Sequence, residues 1–165
     1  MNGDGNLDIV TDTEIHFNNG QGAFSSSVAF VKDPSNVDDI AVGDMNGDGA
    51  LDIVVARMAF DSYILSTIYF NDGTGNFPTS SPFSPGPDWM REVAVGDMNG
   101  DGSLDIVAQV ADENLIYYND GRGNFSEGET IQLLSNWANL EIGDLNGDDA
   151  LDIAARNKDG QYQVL

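Results

Sequence analysis

The chain has no cysteine, one histidine (His16), and six lysines and arginines against 28 aspartates and glutamates, for a formal charge of -22 over 165 residues. The missing cysteines exclude a disulfide framework and any thiolate metal site. So few Lys and Arg exclude the basic footprint that nucleic acids and anionic lipid surfaces demand, so no nucleic-acid partner is expected. No apolar run approaches the ~20 residues that span a bilayer, so no membrane insertion is expected either. The first residues also lack the basic and apolar anatomy of a signal peptide. His16 lies in a strand-like run without a Cys or Ser partner, and nothing else in the chain assembles a nucleophile and base. No enzyme is expected.

What the chain does contain is one acidic phrase, repeated. "GDMNGDGALDIV" begins at Gly43, "GDMNGDGSLDIV" at Gly96 and "GDLNGDDALDIA" at Gly143, while the chain opens on "MNGDGNLDIV". A run of carboxylates is usually a solvated, self-repelling stretch. Here the charges keep fixed places. Asp44, Asn46, Asp48 and Asp52 take positions 1, 3, 5 and 9 of a loop, as do Asp97, Asn99, Asp101 and Asp105, and again Asp144, Asn146, Asp148 and Asp152. Asn2, Asp4 and Asp8 supply positions 3, 5 and 9 of a fourth copy. Gly49 and Gly102 hold position 6, where a sharp turn suits a residue that tolerates positive φ.

Alternating oxygen-bearing side chains around a tight turn can converge on one hard cation, which takes several oxygens at about 2.3–2.6 Å. A backbone carbonyl at position 7 (Ala50, Ser103, Ala150 or Asn6) completes the candidate donor set. Softer metals are disfavoured without Cys and with one His, and Mg²⁺ prefers a stricter octahedron. Calcium, up to four ions, is the expectation. An EF-hand needs a bidentate Glu at position 12 and helices on both sides. Position 12 is Val55, Ala108 and Ala155, and the flanks "DIAVGD" and "LDIVVA" are short, β-branched and alternating. The loop joins two strands. Glycosidase chemistry is equally unsupported, because carboxylates gathered on one ion are not free to act as acid and nucleophile.

A second phrase keeps the same rhythm. "NNGQGAF" starts at Asn18, "NDGTGNF" at Asn71 and "NDGRGNF" at Asn119, each after a strand-like run. The acidic loops recur after 53 and 47 residues, Asp44 to Asp97 to Asp144. Each unit reads as strand A, acidic loop, strand B, a variable connection, strand C, Gly turn and strand D. Four antiparallel strands per unit of this length are the signature of a β-propeller blade. The expected architecture is all-β, a single segment over 1–165 with two complete blades and two partial ones. Blade 1 spans 1–34 without strand A, blade 2 35–86, blade 3 87–134, and blade 4 135–165 without strand D.

The acidic loop followed by the N-D-G-x-G-x-F turn resembles the FG-GAP or VCBS-type repeat of integrin α-subunit propellers, secreted bacterial adhesins and lectin-like proteins. The resemblance covers nearly the whole chain. It implies calcium sites that stiffen the blades, an extracellular or cell-surface setting and a binding role. Two departures stand out: Asp149 replaces the position-6 glycine, and the first loop lacks its position-1 carboxylate.

In this topology the acidic loops and Gly turns share one face, and the B–C and D–A connections share the other. Trp89 and Trp137 fall at matching places on that second face. Their plainer role is to fill gaps between blades; their functional role is to stack on a carbohydrate or grip a protein. The chain reads as a recognition or adhesion module, with a purely structural scaffold for a neighbouring domain as the alternative. Partial blades at both ends point to a piece of a longer array or to self-association, most simply as a homodimer that completes a ring.

Overall fold

A computed structural model of the chain describes every residue except 32–34, 59–64, 85–88, 112, 127 and 134–136, and the side chains of 137 and 138. The described residues form no helix and four antiparallel sheets, each a simple meander. The first contains β1 (Ile9–Val10), β2 (Glu14–Phe17) and β3 (Ser26–Ala29). The second contains β4 (Val37–Gly43), β5 (Asp52–Arg57), β6 (Thr67–Phe70) and β7 (Thr79–Pro82). The third contains β8 (Met90–Gly96), β9 (Asp105–Val110), β10 (Glu113–Tyr117) and β11 (Glu129–Ile131). The fourth contains β12 (Trp137–Gly143), β13 (Asp152–Asn157) and β14 (Tyr162–Val164). The all-β blade architecture is the expected one, with three strands in the outer two sheets. Among the described residues the sheets do not close into a ring: β8 packs against β4 and β12, and no strand of the first sheet contacts one of the fourth.

The second strands differ from the alternating pattern expected of them. Every residue of β5 is buried, and β9 is buried over five of its six residues. The reason is that each is sandwiched on both sides. Ile53 and Val55 pack into a cluster with Ile15 and Phe30 of the first unit. Val54 and Ala56 turn the other way, into a cluster with Met90, Val93, Ile106 and Ala108 of the third. Val107 and Ile116 then meet Leu140 and Ile153 of the fourth. A continuous apolar run is what a strand covered on both faces requires. The core is therefore a series of inter-blade layers rather than one central mass.

Two close approaches key the blades together. A Cβ built on Gly43 would lie 2.6 Å from Leu104 Cδ1, and one on Gly96 would lie 2.8 Å from Leu151 Cδ1. The leucine at loop position 8 of each blade thus presses on the bare backbone that ends the inner strand of the blade before it. Similarly, a Cβ on Gly75 would meet Phe17 at 2.7 Å, and one on Gly123 would meet Phe70 at 2.8 Å. The first sheet has no inner strand with such a glycine. Accordingly Leu51 remains 47% exposed and, with Leu7 and Val42, lines a cavity of about 880 Å³.

The inner strands share one irregularity, a register slip at Val37/Asp39, Met90/Glu92 and Trp137/Asn139. Bulges of this kind re-aim a side chain. Asp39 Oδ2 accepts the Val93 N–H at 2.9 Å, joining the second inner strand to the third. Glu92, one blade on, lines a cavity of about 350 Å³ with Asp39 and Glu141. Burial first, and then the carboxylates of Asp39, Asp38 and Glu141, push the Glu92 carboxyl from 4.5 up to about 7. Because the folded value is raised, ionised Glu92 opposes folding. The penalty is absent below 4.5, grows between 4.5 and 7, and is complete above 7. Glu92→Gln is expected to stabilise the fold on the order of 1 kcal/mol at about pH 8, allowing for solvent screening, and to do little at about pH 5. Thermal melts of both proteins across that range check the sign.

Candidate metal centre

Each acidic loop is a wound turn whose own backbone faces its carboxylates. Asp44 Oδ1 accepts the N–H groups of Gly47 and Asp48 at 2.8 and 3.1 Å, and Oδ2 accepts Gly49 at 2.8 Å. Asp97 repeats these bonds with Gly100, Asp101 and Gly102 at 2.8, 3.0 and 2.9 Å. Asp144 repeats them with Gly147, Asp148 and Asp149. The turn needs left-handed backbone at position 6, with φ of 88° at Gly49 and 89° at Gly102. Asp149 adopts the same region at φ 68°, so the substitution of glycine leaves the winding intact. Aspartate is one of the few side-chain residues that visits it at modest cost.

Positions 3 and 5 bond to each other. The Asn46 amide donates to Asp48 Oδ2 at 2.9 Å, and Asp48 Oδ1 accepts the Ala50 N–H at 2.8 Å. Asn99, Asp101 and Ser103 copy this at 2.9 and 2.8 Å, as do Asn2, Asp4 and Asn6 at 3.1 and 2.8 Å. In the fourth loop Ala150 still donates to Asp148, but the Asn146 amide turns to Asp152 Oδ1 at 3.4 Å. The amide donors hold several exposed carboxyls below the usual range. The Ser103 N–H does so at Asp101, the Asn6 N–H at Asp4 and the Gly147 N–H at Asp144.

Position 9 lies deeper. Asp52 and Asp105 are fully buried, and burial raises both carboxyls despite two N–H bonds to each. Asp52 accepts Met45 N–H and Asn71 N–H, both at 2.9 Å. Asp105 accepts Met98 at 3.0 Å and Asn119 at 2.9 Å, and Asp8 accepts the Met1 nitrogen at 2.8 Å and Asn18 at 2.9 Å. Asp152 keeps the first bond, from Leu145 at 2.8 Å. These bonds tie the acidic loop to the Gly turn of the same blade and place both on one face.

The donor chemistry suits a hard cation, and the structure defines what uptake would require. Among the described residues no three Asp, Glu or His side chains form a ready-made cluster. A carboxylate has about four acceptor sites. Asp44 uses three of them, Asp48 two and Asp52 two, leaving lone pairs in each loop. An ion held by Asp44, Asn46, Asp48, the Ala50 carbonyl and Asp52 needs the Asn46 amide to turn its oxygen inward and release Asp48.

The residue that sequence reading passed over is the first asparagine of each Gly turn. Asn119 Nδ2 donates to the Leu104 carbonyl of its own blade at 2.9 Å and to the Met45 carbonyl of the preceding blade at 2.8 Å. Its Oδ1 accepts Gly121 and Gly123 at 3.1 and 3.2 Å. Asn71 does the same with Leu51 and Met1 at 3.0 and 2.9 Å, and with Gly73 and Gly75 at 3.1 Å. One side chain thus shapes a turn, braces a loop and staples two blades. The recurrence of Asn18, Asn71 and Asn119 was the available signal.

The remaining residues singled out from sequence lie elsewhere. Trp89 is half exposed and bridges to Met58, and its carbonyl accepts the Ala111 N–H at 2.9 Å. Trp137 begins β12, but its side chain lies outside the described residues, as do parts of the connections around both tryptophans. His16 stands 3.8 Å from Glu14 on the surface of β2.

With this geometry in hand, the sequence profile of the FG-GAP-like repeat matches residues 1–55 and 61–108. The chain belongs to the FG-GAP-like repeat family. No curated protein matches it in sequence. In fold, it is similar to an Agrocybe aegerita lectin solved for its specific recognition of non-reducing terminal N-acetylglucosamine (TM-score 0.66, 21% identity, 98% of this chain and 49% of that one). It is also similar to a chain of the Photorhabdus luminescens Tc holotoxin pore (TM-score 0.63, 15% identity, 95% of this chain and 8% of that one). The chain therefore spans about half of the lectin and a small part of the toxin.

Asn119→Ala is expected to cost about 3 kcal/mol, because it strands buried carbonyls and amides that net roughly 1 kcal/mol per bond and more when left unpaired. Asn124→Ala, on the exposed tip of the same turn, is expected to cost under ~1 kcal/mol. Urea denaturation of the two variants makes the comparison.

Proposed function

We propose that the chain is a calcium-stiffened β-propeller recognition module of the cell surface or extracellular space, without catalytic activity. Its ligand, a carbohydrate or a protein, would dock on the face opposite the acidic loops, around Trp89 and Trp137. The observation that carries the reading is the identical wiring of the loops at Asp44 and Asp97, which present several carboxylate lone pairs on an exposed, already wound turn. A divalent ion in each complete loop would relieve the repulsion of at least three carboxylates, and four ions would offset eight of the 22 formal charges. The loop at Asp144 keeps the donor set but turns its Asn146 amide to Asp152, and the shorter one at Asp4 and Asp8 lacks a position-1 carboxylate, so both should bind more weakly. Mostly exposed loops of this kind suit the modest affinity of extracellular calcium modules, about 10⁻⁴–10⁻³ M. The fold-level likeness to a lectin supports carbohydrate as the first class of ligand to try.

Asp48→Asn separates calcium binding from turn formation, since asparagine keeps an oxygen for the Ala50 N–H but removes the charge. In excess Ca²⁺ the parent protein should gain on the order of 2–3 kcal/mol at ~100-fold over its dissociation constant, and the variant markedly less. In EDTA the two should melt together. Equal responses to Ca²⁺ would remove the metal from the account. Retention on N-acetylglucosamine resin, abolished by Trp89→Ala with folding intact, would support the lectin-like reading; a scaffold would show neither.

A further inference from the structure

Five Asn–Gly steps occur in the chain, at Asn2 beside the first residue and at Asn19, Asn46, Asn99 and Asn146 within turns. Asparagine before glycine is open to attack by its own backbone, because a following residue without a side chain lets its nitrogen approach the amide carbon. In sequence the four turn steps are equivalent. The structure separates them by what each glycine nitrogen and each amide is bonded to.

In the acidic loops the glycine nitrogen is tied to a carboxylate. Gly47 N–H donates to Asp44 Oδ1 and Gly100 N–H to Asp97 Oδ1, both at 2.8 Å, and Gly147 N–H donates to Asp144 Oδ1 in the same way. The nitrogen must shed that proton to attack, and the anion so formed would stand against a carboxylate oxygen, a repulsion that partial exclusion of water sharpens. Two of the amides are pinned as well. Asn46 Nδ2 donates to Asp48 Oδ2 and Asn99 Nδ2 to Asp101 Oδ2, both at 2.9 Å.

Asn19 is wired differently. The Gly20 N–H donates to the neutral Asn18 Oδ1 at 3.0 Å, and Asn19 Nδ2 donates to no partner among the described residues. Asn19 Oδ1 accepts two backbone N–H groups, from Gln21 at 2.9 Å and Ala23 at 3.2 Å. Those donors stand where negative charge gathers as a nitrogen adds to Cγ. Asn19 is exposed, and so are Asp72 and Asp120, which hold its place in the two central blades. The turn tip is therefore open to water even where a blade lies on each side.

We propose that Asn19 is a site of spontaneous deamidation and that the acidic loops spare their own asparagines. Gly20 N, its proton lost to hydroxide, bonds to Asn19 Cγ; the Cγ–Nδ2 bond breaks, and ammonia leaves with a proton taken from water. Water then opens the cyclic imide. Attack at Cγ restores the normal backbone with aspartate at position 19, and attack at the main-chain carbonyl gives the isoaspartyl linkage. Nothing is oxidised or reduced: asparagine and water become aspartate and ammonium. The aspartyl product suits the turn. It changes N-N-G into the N-D-G of the two central blades, where Asp120 Oδ1 accepts the Arg122 and Asn124 N–H groups at 2.9 and 3.2 Å, the same bonds that Asn19 makes. It also adds a negative charge to the face that carries the acidic loops.

The test ages the folded chain in warm, mildly alkaline buffer and follows each Asn–Gly peptide by mass spectrometry. Of the four turn steps Asn19 should convert first, with Asn46 and Asn99 roughly tenfold slower or more, the effect of a charge-assisted hydrogen bond that must be given up. In urea the four should react at similar rates. Asp44→Asn, which puts a neutral oxygen at the Gly47 N–H, should speed conversion at Asn46 and leave Asn99 unchanged. The Asn19→Asp variant should fold and melt as the parent does. Conversion of Asn46 and Asn99 as fast as Asn19 in the folded chain would overturn the proposal. So would an unreacted Asn19 under conditions that convert the unfolded chain.

Discussion

The structure depends on a buried carboxylate that accepts two backbone amides. Asp52 and Asp105 have no exposed surface, yet each is the meeting point of an acidic loop, a Gly turn and the strand it opens. A carboxylate in such a place is tolerable only because directed N–H bonds replace the water it lost. The bond from the Gly-turn asparagine then transmits that order sideways. Its amide proton satisfies Asp105 while its side chain holds the preceding loop at Met45. In each of the two central blades, strand, loop, turn and neighbour are joined by one pair of residues.

This arrangement also explains how so acidic a chain folds. Most of its repeated carboxylates lie at wound turns where backbone N–H groups converge on them, as three do on Asp44 and three on Asp97. The turns thus carry backbone donors of their own, and the proposed calcium would add its charge to theirs. Glu92 shows the contrary case. It sits, partly buried, near the carboxylates of Asp39, Asp38 and Glu141, and its raised proton affinity records the cost.

Blade number, strand order and the shared face of loops and turns were legible in the sequence because their chemistry is local. Asp44 to Asp52 is one turn, and its spacing recurs with little change. Asp149 stood out as a departure from the position-6 glycine, and the structure shows that it keeps the winding. What was not legible is whatever depends on a neighbour. Nothing near Gly43 announces that Leu104 will press on it, and nothing near Asn119 announces Met45, 74 residues earlier. The full burial of β5 was hidden likewise, since only the stacking of blades covers its second face. The same applies to Trp89, whose exposure reflects where the blades leave it rather than its own segment.

The central claim is that the position-9 carboxylates and their amide donors are the most secure part of the fold. Amide hydrogen exchange followed by NMR addresses it residue by residue. The account predicts that the N–H groups of Met45, Met98, Asn71 and Asn119 exchange only through global unfolding, in the slowest class with the centres of β5 and β9. The turn tips at Thr74 and Arg122, whose N–H groups bond to exposed Asp72 and Asp120, should exchange far faster. If the four bracing amides exchanged as quickly as those tips, the carboxylates would be ornaments of the turns and something else would hold the blades together.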